Sequence, residues 1–179
     1  ENVEEDDDGG YSIDKIAFPN VNTTQDGVTI TAEDISIGGV YIPAEPKAGT
    51  IESMMLYENI SMGTMTASKD GKAIFSLEGV DANLTTAEDQ SKFDFDATVS
   101  GINVDLTSAP DPKAQEAIAA LGLQKLAGEV TMKGSWTLAD GKIDLNEYAF
   151  DFENVGRLDV KFSLSGYTLD FVKAMQDAI

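Results

Sequence analysis

Two stretches of this chain alternate apolar and polar residues for longer than a typical β-strand, and both change phase at a glycine. The first is Lys72–Leu84, with its phase change at Gly79, and the second is Phe93–Leu106, with its phase change at Gly101. Side chains of a strand alternate between its two faces, so a one-residue shift turns the apolar set to the other side. A β-bulge at the glycine absorbs one residue and restores the face. The pattern predicts two long strands with bulges or bends at these glycines and the apolar residues facing one interior.

The same arrangement, apolar-x-Gly-apolar-x-apolar, occurs four times in the chain. Its copies are Ile37–Ile42, Leu77–Ala82, Val99–Val104 and Leu164–Leu169. Their irregular spacing excludes a solenoid with a fixed repeat. One interpretation is that bulges at the glycines curve long strands. The other is only that glycine separates the halves of a strand.

Further strand-like runs flank this central pair. They are Tyr11–Phe18, Val28–Ile42, Ile51–Ala67, Glu129–Leu138, Lys142–Glu153 and Arg157–Gly166. Short turns with Asp-Gly, at Asp70 and Asp140, connect neighbouring runs. Alternating runs joined by short turns predict an antiparallel meander.

Two helices are predicted to pack on the meander. The first covers about 112–125, where Asp111 fits the N-cap and Pro112 the first helical position. The second covers about 168–178, with Thr168 as N-cap and Asp170 complementing the helix dipole. The expected fold is mainly β (α+β), a long, curved antiparallel β-meander with an internal and a C-terminal helix. A disordered acidic tail at 1–10 is expected to precede a single β-rich domain at 11–179.

Composition removes several classes of chemistry. The chain has 179 residues, with 32 acidic and 12 basic side chains and a formal charge of −20, which disfavours nucleic acid and anionic headgroups as partners. Cysteine and histidine are both absent, which excludes a Ser-His-Asp triad, a thiol nucleophile and a zinc site built on these residues. We expect no catalysis, no cofactor and no dedicated metal site. A hydrolase using Asp94 and Asp96 beside Asp81 is the least favoured alternative.

The long two-phase strands predict a protein that holds a lipid-like or other apolar ligand on a curved sheet. The Met-rich segment Met54–Met65 offers soft, adaptable packing for such a ligand. The residues expected to contact it are Met62, Phe75, Leu77, Val80, Phe93, Phe95, Ile102, Val104 and Trp136. The alternative is a structural or protein-interaction module that uses a sheet edge or the acidic surface. No run approaches the roughly 18 apolar residues of a membrane span.

Part of the later half of the chain carries a resemblance to known proteins. The stretches concerned are Leu121–Leu123, Leu126–Trp136, Gly156–Val160 and Leu164–Val172. They resemble exported proteobacterial proteins of uncharacterised function, and the glycine-punctuated strands are similar to those of AsmA-like envelope proteins that handle lipids. The resemblance implies a non-catalytic periplasmic protein, exported with its signal peptide removed. Its implied partners are a lipid or another envelope protein.

Overall fold

The computed structural model describes residues 2–7, 9–45, 57–108 and 111–177. Within these residues, 12 strands form one antiparallel sheet. The strands are β1 (Val3–Glu5), β2 (Tyr11–Gln25), β3 (Val28–Ile42), β4 (Asn59–Met62), β5 (Met65–Lys69), β6 (Lys72–Leu77), β7 (Gly79–Thr86), β8 (Lys92–Asp105), β9 (Lys125–Thr137), β10 (Lys142–Phe152), β11 (Gly156–Asp159) and β12 (Phe162–Leu164). The helices are α1 (Pro112–Leu121) and α2 (Leu169–Gln176), and a short 3-10 helix covers Leu106–Ser108. Met54, Met55 and the first part of the strand predicted at Ile51–Ala67 lie outside the described residues.

Strands that follow one another in the chain are neighbours in the sheet, which makes the sheet a meander. β4 and β5 are halves of one long strand, because both pair with β3 on one side and with β7 and β6 on the other. β6 and β7 form the next long strand, and both pair with β8. β9, β10, and then β11 with β12 complete the order. The predicted fold, a curved antiparallel meander with two helices, is confirmed.

A row of backbone irregularities crosses five neighbouring long strands. The pairing register places Pro19 of β2 opposite Asp34 of β3, and Asp34 opposite Gly63, which lies between β4 and β5. Thr64, the next residue, lies opposite Glu78 between β6 and β7, and Glu78 lies opposite Gly101 of β8. Asp34 and Gly101 have φ of +53° and +60°. In each of these strands the apolar residues move from odd to even positions, or the reverse, at the row. The irregular backbone shifts the alternation by one residue at the same place, so the apolar side chains stay on one side of the sheet. Because such irregularities bend strands, the aligned row is a bend of the sheet as a whole.

The bulge predicted at Gly101 is confirmed. Two residues of β8 lie opposite one residue of β9 at this level, since the register shifts between Val99 and Ile102. The break predicted at Gly79 falls one residue earlier, at Glu78, which separates β6 from β7. Glu78 lies directly opposite Gly101, so the two strands are irregular at the same level. The register of β6 against β8 is therefore the same as the register of β7 against β8.

Both helices begin where the capping residues predict. The Asp111 carboxylate accepts a hydrogen bond from the Lys113 N–H at 3.0 Å and caps α1. α1 ends before the expected residue 125, because Gly122 adopts a left-handed φ of +70° and its N–H returns to the last carbonyls of the helix. The Thr168 hydroxyl caps α2 by accepting from the Phe171 N–H at 3.3 Å.

Three residues within the segment predicted as an acidic tail form a strand. Val3–Glu5 make up β1 and pair with Tyr11–Ile13 of β2. The Ser12 hydroxyl also donates a hydrogen bond to the Asp6 carboxylate at 3.0 Å. Backbone pairing needs no apolar side chain, so composition gave no signal for this strand.

The sheet is one layer thick over the described residues. Buried apolar side chains there are scattered rather than gathered in one core, and they are Ala32, Val40, Leu77, Phe93, Ile102, Leu145, Ala149 and Val172. The described residues therefore form no single closed core.

Candidate functional site: an uncovered apolar sheet face

The pairing register gathers apolar side chains from all the long strands on one side of the sheet, which we call the apolar face. Directly opposed residues of antiparallel neighbours project to the same side. One row of opposed residues crosses the whole sheet, and it consists of Ile16, Ile37, Ile60, Ala82, Ala97, Met132, Tyr148 and Val160. The face is therefore continuous from β2 to the segment between β11 and β12.

All nine residues predicted to contact a ligand lie on the apolar face. They are Met62, Phe75, Leu77, Val80, Phe93, Phe95, Ile102, Val104 and Trp136, and three of the opposed pairs are Met62–Val80, Phe75–Val104 and Phe93–Trp136. Leu77, Phe93 and Ile102 are 7%, 4% and 8% exposed, whereas the other six are half-buried. The residues share one surface, and their role in binding stays a prediction.

Two glycines of β9 make room for aromatic rings on this face. A Cβ atom at Gly134 would lie 2.5 Å from the ring of Phe95, and one at Gly128 would lie 2.7 Å from the ring of Phe152. Real side chains do not approach this closely, so each ring lies over a stretch of bare backbone. A bulkier residue at Gly134 would displace the Phe95 ring, and one at Gly128 would first meet the Asp151 carbonyl oxygen of β10.

A series of aromatic rings closes one end of the apolar face. The ring centroids of Phe93 and Trp136 are 5.9 Å apart, those of Trp136 and Tyr167 are 5.7 Å apart, and those of Tyr167 and Phe171 are 5.6 Å apart. The Trp136 Nε1–H donates a hydrogen bond to the Tyr167 carbonyl oxygen at 2.9 Å. Val172 of α2 is buried at 9% exposure. These contacts fix the start of α2 against the sheet, and we call this end the capped end.

The opposite end of the sheet, where β8 leaves and β9 enters, has no such cap among the described residues. No side chain of α1 is buried, and Leu121 is 71% exposed. A shallow depression of about 170 Å³ lies at this end, and Phe75, Val104, Asp105 and Lys125 contribute to its lining. A second cavity of about 410 Å³ separates α1 from the 3-10 helix. This end therefore combines apolar and charged lining, unlike the capped end.

Asp105 is the carboxylate of that depression and its hydrogen bonding is extensive. Its Oδ2 lies 2.8 Å from the Lys72 Nζ, and its Oδ1 accepts from the hydroxyl and the N–H of Thr107 at 2.5 and 2.9 Å. The hydrogen bond from Lys72, followed by those from Thr107, holds the pKa of Asp105 well below its usual range. A carboxylate held as an anion in this way has no proton to donate near neutral pH.

The carboxylates considered for catalysis lie on the other side of the sheet, the polar face. The Lys92 Nζ lies 2.6 Å from Asp94, and the Asn83 side-chain amide donates to Asp96 at 3.1 Å. Asp81 is exposed on the neighbouring strand. Among the described residues no group of three or more acidic side chains is arranged to hold a metal ion. The three aspartates thus belong to an exposed polar surface.

Arg157 connects β10 and β11 across the polar face. Its guanidinium lies 2.6 Å from Glu147, 3.4 Å from Asp151 and 3.6 Å from Asp159. The hydrogen bond from Arg157 is the main cause that lowers the pKa of Glu147 from its ordinary value. The last strands of the meander are therefore joined by apolar packing on one face and by a charge network on the other.

Sequence reasoning missed several members of the apolar face, among them Met65, Leu126, Val130, Met132 and Leu145. Alternation within β9 and β10 does mark one side of each strand as apolar. The sequence does not reveal which side of β9 and β10 continues the apolar side of β8, because that depends on the pairing register. The register itself shifts between Val99 and Ile102 of β8 and between Leu145 and Glu147 of β10. The contact between Trp136 and Tyr167 joins residues far apart in the chain and left no local signal.

Comparison of the chain with protein-family models, with curated proteins and with solved structures finds no match. Neither helix in the described part of the chain has the length and apolar character needed to cross a membrane. The features that bear on function are thus the apolar face and its two unlike ends.

Proposed function

We propose that this protein is a non-catalytic carrier that holds a lipid-like or other apolar ligand on the apolar face of its curved sheet. One observation carries the proposal. A row of apolar residues crosses every long strand, and no second layer of the described residues packs along it. Apolar surface left in water costs about 25 cal/mol per Å², and contiguous patches of it mark sites for ligands or partners.

The two ends of the face favour an amphiphile over a purely apolar molecule. At the capped end the surface ends in the rings of Phe93 and Trp136, which suit a hydrocarbon tail. At the other end the depression is lined by apolar side chains and by Asp105 and Lys125, an opposed pair that projects to the polar side, so a polar headgroup reaches these charges past the strand ends. The formal charge of −20 favours a neutral or zwitterionic headgroup over an anionic one. A periplasmic location is part of the same proposal and rests on the resemblance to AsmA-like proteins alone.

The proposal includes no catalytic step. A chain without histidine or cysteine is left with carboxylates, lysines and hydroxyls for chemistry. The carboxylates of Asp94 and Asp96 already accept hydrogen bonds from Lys92 and Asn83. Binding on an apolar surface needs only shape and desolvation, which the face supplies.

Two adjacent residues of β8 provide a matched pair for testing this function. Val99 lies on the apolar face, opposite Val80 and Val130, and Thr98 lies on the polar face, opposite Asp81 and Thr131. Both side chains are half-buried. Val99→Lys and Thr98→Lys therefore add the same charge at the same level of the same strand, on opposite sides of the sheet.

The experiment measures binding of N-phenyl-1-naphthylamine, an uncharged dye that fluoresces in apolar surroundings, and its displacement by lysophosphatidylcholine. The wild type and Thr98→Lys are expected to bind the dye and release it to the lipid. Val99→Lys is expected to bind both at least about 10-fold more weakly, because a lysine ammonium on the apolar face must be desolvated. Far-ultraviolet circular dichroism confirms that both variants are folded. Equal binding by the two variants, or no displacement from the wild type, contradicts the proposal.

A further inference from the structure

The sheet opens between β6 and β8 at the end of the apolar face that lies opposite the capped end. β6 begins at Lys72, but its pairing with β8 is confined to Phe75 opposite Val104 and Ser76 opposite Asn103. Before Phe75, β6 pairs with β5 alone. The shallow depression of about 170 Å³ lies at this opening, and side chains of both faces contribute to its lining. Apolar surface and polar side chains therefore meet where the pairing of β6 with β8 ends.

Lys125 contributes a positive charge to this lining that no carboxylate of the described residues neutralises. It lies directly opposite Asp105 on the neighbouring strand, and opposed side chains of opposite charge ordinarily pair. Asp105 is already occupied, because its Oδ2 lies 2.8 Å from the Lys72 Nζ and its Oδ1 accepts two hydrogen bonds from Thr107. In the described part of the chain the Lys125 ammonium forms no ion pair. Lys72, Asp105 and Lys125 together thus carry one net positive charge, in a chain whose formal charge is −20.

We propose that Lys125 binds the phosphate of a zwitterionic phospholipid headgroup whose acyl chain lies on the apolar face. This inference rests on the proposed carrier function and names the class of its ligand. A lysine ammonium is a common partner of phosphate, and the depression of about 170 Å³ has room for a single phosphate group, since a water molecule fills about 30 Å³ of liquid. The cationic group of the zwitterion then faces a strongly acidic chain, which attracts it. A neutral headgroup gains neither attraction, and an anionic one gains only the first.

Displacement of N-phenyl-1-naphthylamine by two lipids with the same acyl chain tests this assignment. The lipids are lauroyl lysophosphatidylcholine and monolauroylglycerol, which lacks the phosphate, each used below its critical micelle concentration. The wild type is expected to bind the phospholipid at least about 10-fold more tightly than monolauroylglycerol, because a hydrogen bond between charged groups is among the stronger ones. Lys125→Gln should remove this preference by weakening the phospholipid alone, and Lys125→Arg, which keeps the charge, should retain it. Lys133→Gln is the control, because it removes the same charge from an exposed position on the polar face of the same strand, β9.

Two outcomes overturn the role of Lys125 and leave the carrier function in place. The first is a wild type that binds both lipids with equal affinity. The second is a preference for the phospholipid that Lys125→Gln keeps, or that Lys133→Gln loses to the same extent. Lys125→Gln must still bind the dye and release it to monolauroylglycerol, which shows that the exposed substitution has not unfolded the protein. A wild type that binds neither the dye nor either lipid overturns the carrier function, and the role of Lys125 with it.

Discussion

Gly101 lies directly against the side chain of Glu78 on the neighbouring strand. Gly101 has a φ of +60°, and a Cβ atom there would overlap the Cβ and Cγ atoms of Glu78. The Glu78 N–H donates to the Ser100 carbonyl oxygen at 2.9 Å beside this contact. Gly39 repeats the relationship with Glu58, since it has a φ of +61° and a Cβ there would overlap the Glu58 side chain. Two copies of the glycine motif thus share one contact, a glycine with a left-handed backbone packed on the side chain of a glutamate.

Substitution of Gly101 by alanine is expected to destabilise the protein through both backbone strain and overlap. A left-handed backbone at a non-glycine residue costs about 1–3 kcal/mol, and overpacking adds about 1–3 kcal/mol. Gly71→Ala is the matched control, because Gly71 has a φ of +75° with no atom within 4 Å of its missing Cβ. Urea unfolding should show a free energy of unfolding reduced more by Gly101→Ala than by Gly71→Ala.

A double-mutant cycle separates the two causes. Removing the Glu78 side chain, as Glu78→Gly, should recover part of the loss in Gly101→Ala if overlap with that side chain is responsible. Equal losses in Gly101→Ala and Gly71→Ala, with no recovery in the double variant, would show that the bend does not depend on this contact.

The bulge at Gly101 could be predicted because the phase of alternation is a local property of one strand. The bend as a whole could not be predicted. It requires the irregularities at Pro19, Asp34 and Gly63 to lie at the level of Glu78, to within one residue, and that alignment depends on the register between strands. The placement of the nine candidate residues on the apolar sides of their strands was recognisable for the same local reason, and their role in binding stays a prediction. The glycines beneath the rings of Phe95 and Phe152 and the cap at Tyr167 depend on tertiary contacts, which periodicity does not encode.

Trp136→Phe is expected to loosen α2 while leaving an aromatic ring at the capped end. The substitution removes the N–H that donates to the Tyr167 carbonyl oxygen, at a cost of about 1 kcal/mol. Hydrogen exchange measured on a peptide covering 167–177 should become faster. Tyr148→Phe is the control, because it also removes one donor from the apolar face but lies on β10, away from α2. Unchanged exchange in Trp136→Phe, or an equal change in Tyr148→Phe, would exclude this role for the hydrogen bond.

Acid is expected to weaken the contact between β10 and β11. Arg157 lowers the pKa of Glu147 in the folded chain, so this carboxylate stabilises the fold above its unfolded pKa of about 4.3. That contribution is lost as pH falls through the lower, folded pKa. The difference in urea midpoint between the wild type and Glu147→Gln should therefore be largest near neutral pH and shrink below about pH 4.

Glu129→Gln is the control for this pH dependence, because it removes the same charge from an exposed position of β9 on the polar face. Glu147→Gln and Glu129→Gln each remove one negative charge, so both reduce the electrostatic self-repulsion of this acidic chain by a similar amount. A gap between the wild type and Glu147→Gln that is independent of pH, or the same as for Glu129→Gln, would rule out Arg157 as the cause.

Native mass spectrometry of protein purified without detergent tests the carrier function most directly. The wild type is expected to retain a bound amphiphile, or to take up lysophosphatidylcholine when it is added, with a mass increment that collisional activation removes. Thr98→Lys should keep the increment and Val99→Lys should lose it, since only Val99 lies on the apolar face. A wild type that shows the bare chain mass before and after addition of the lipid would contradict the account.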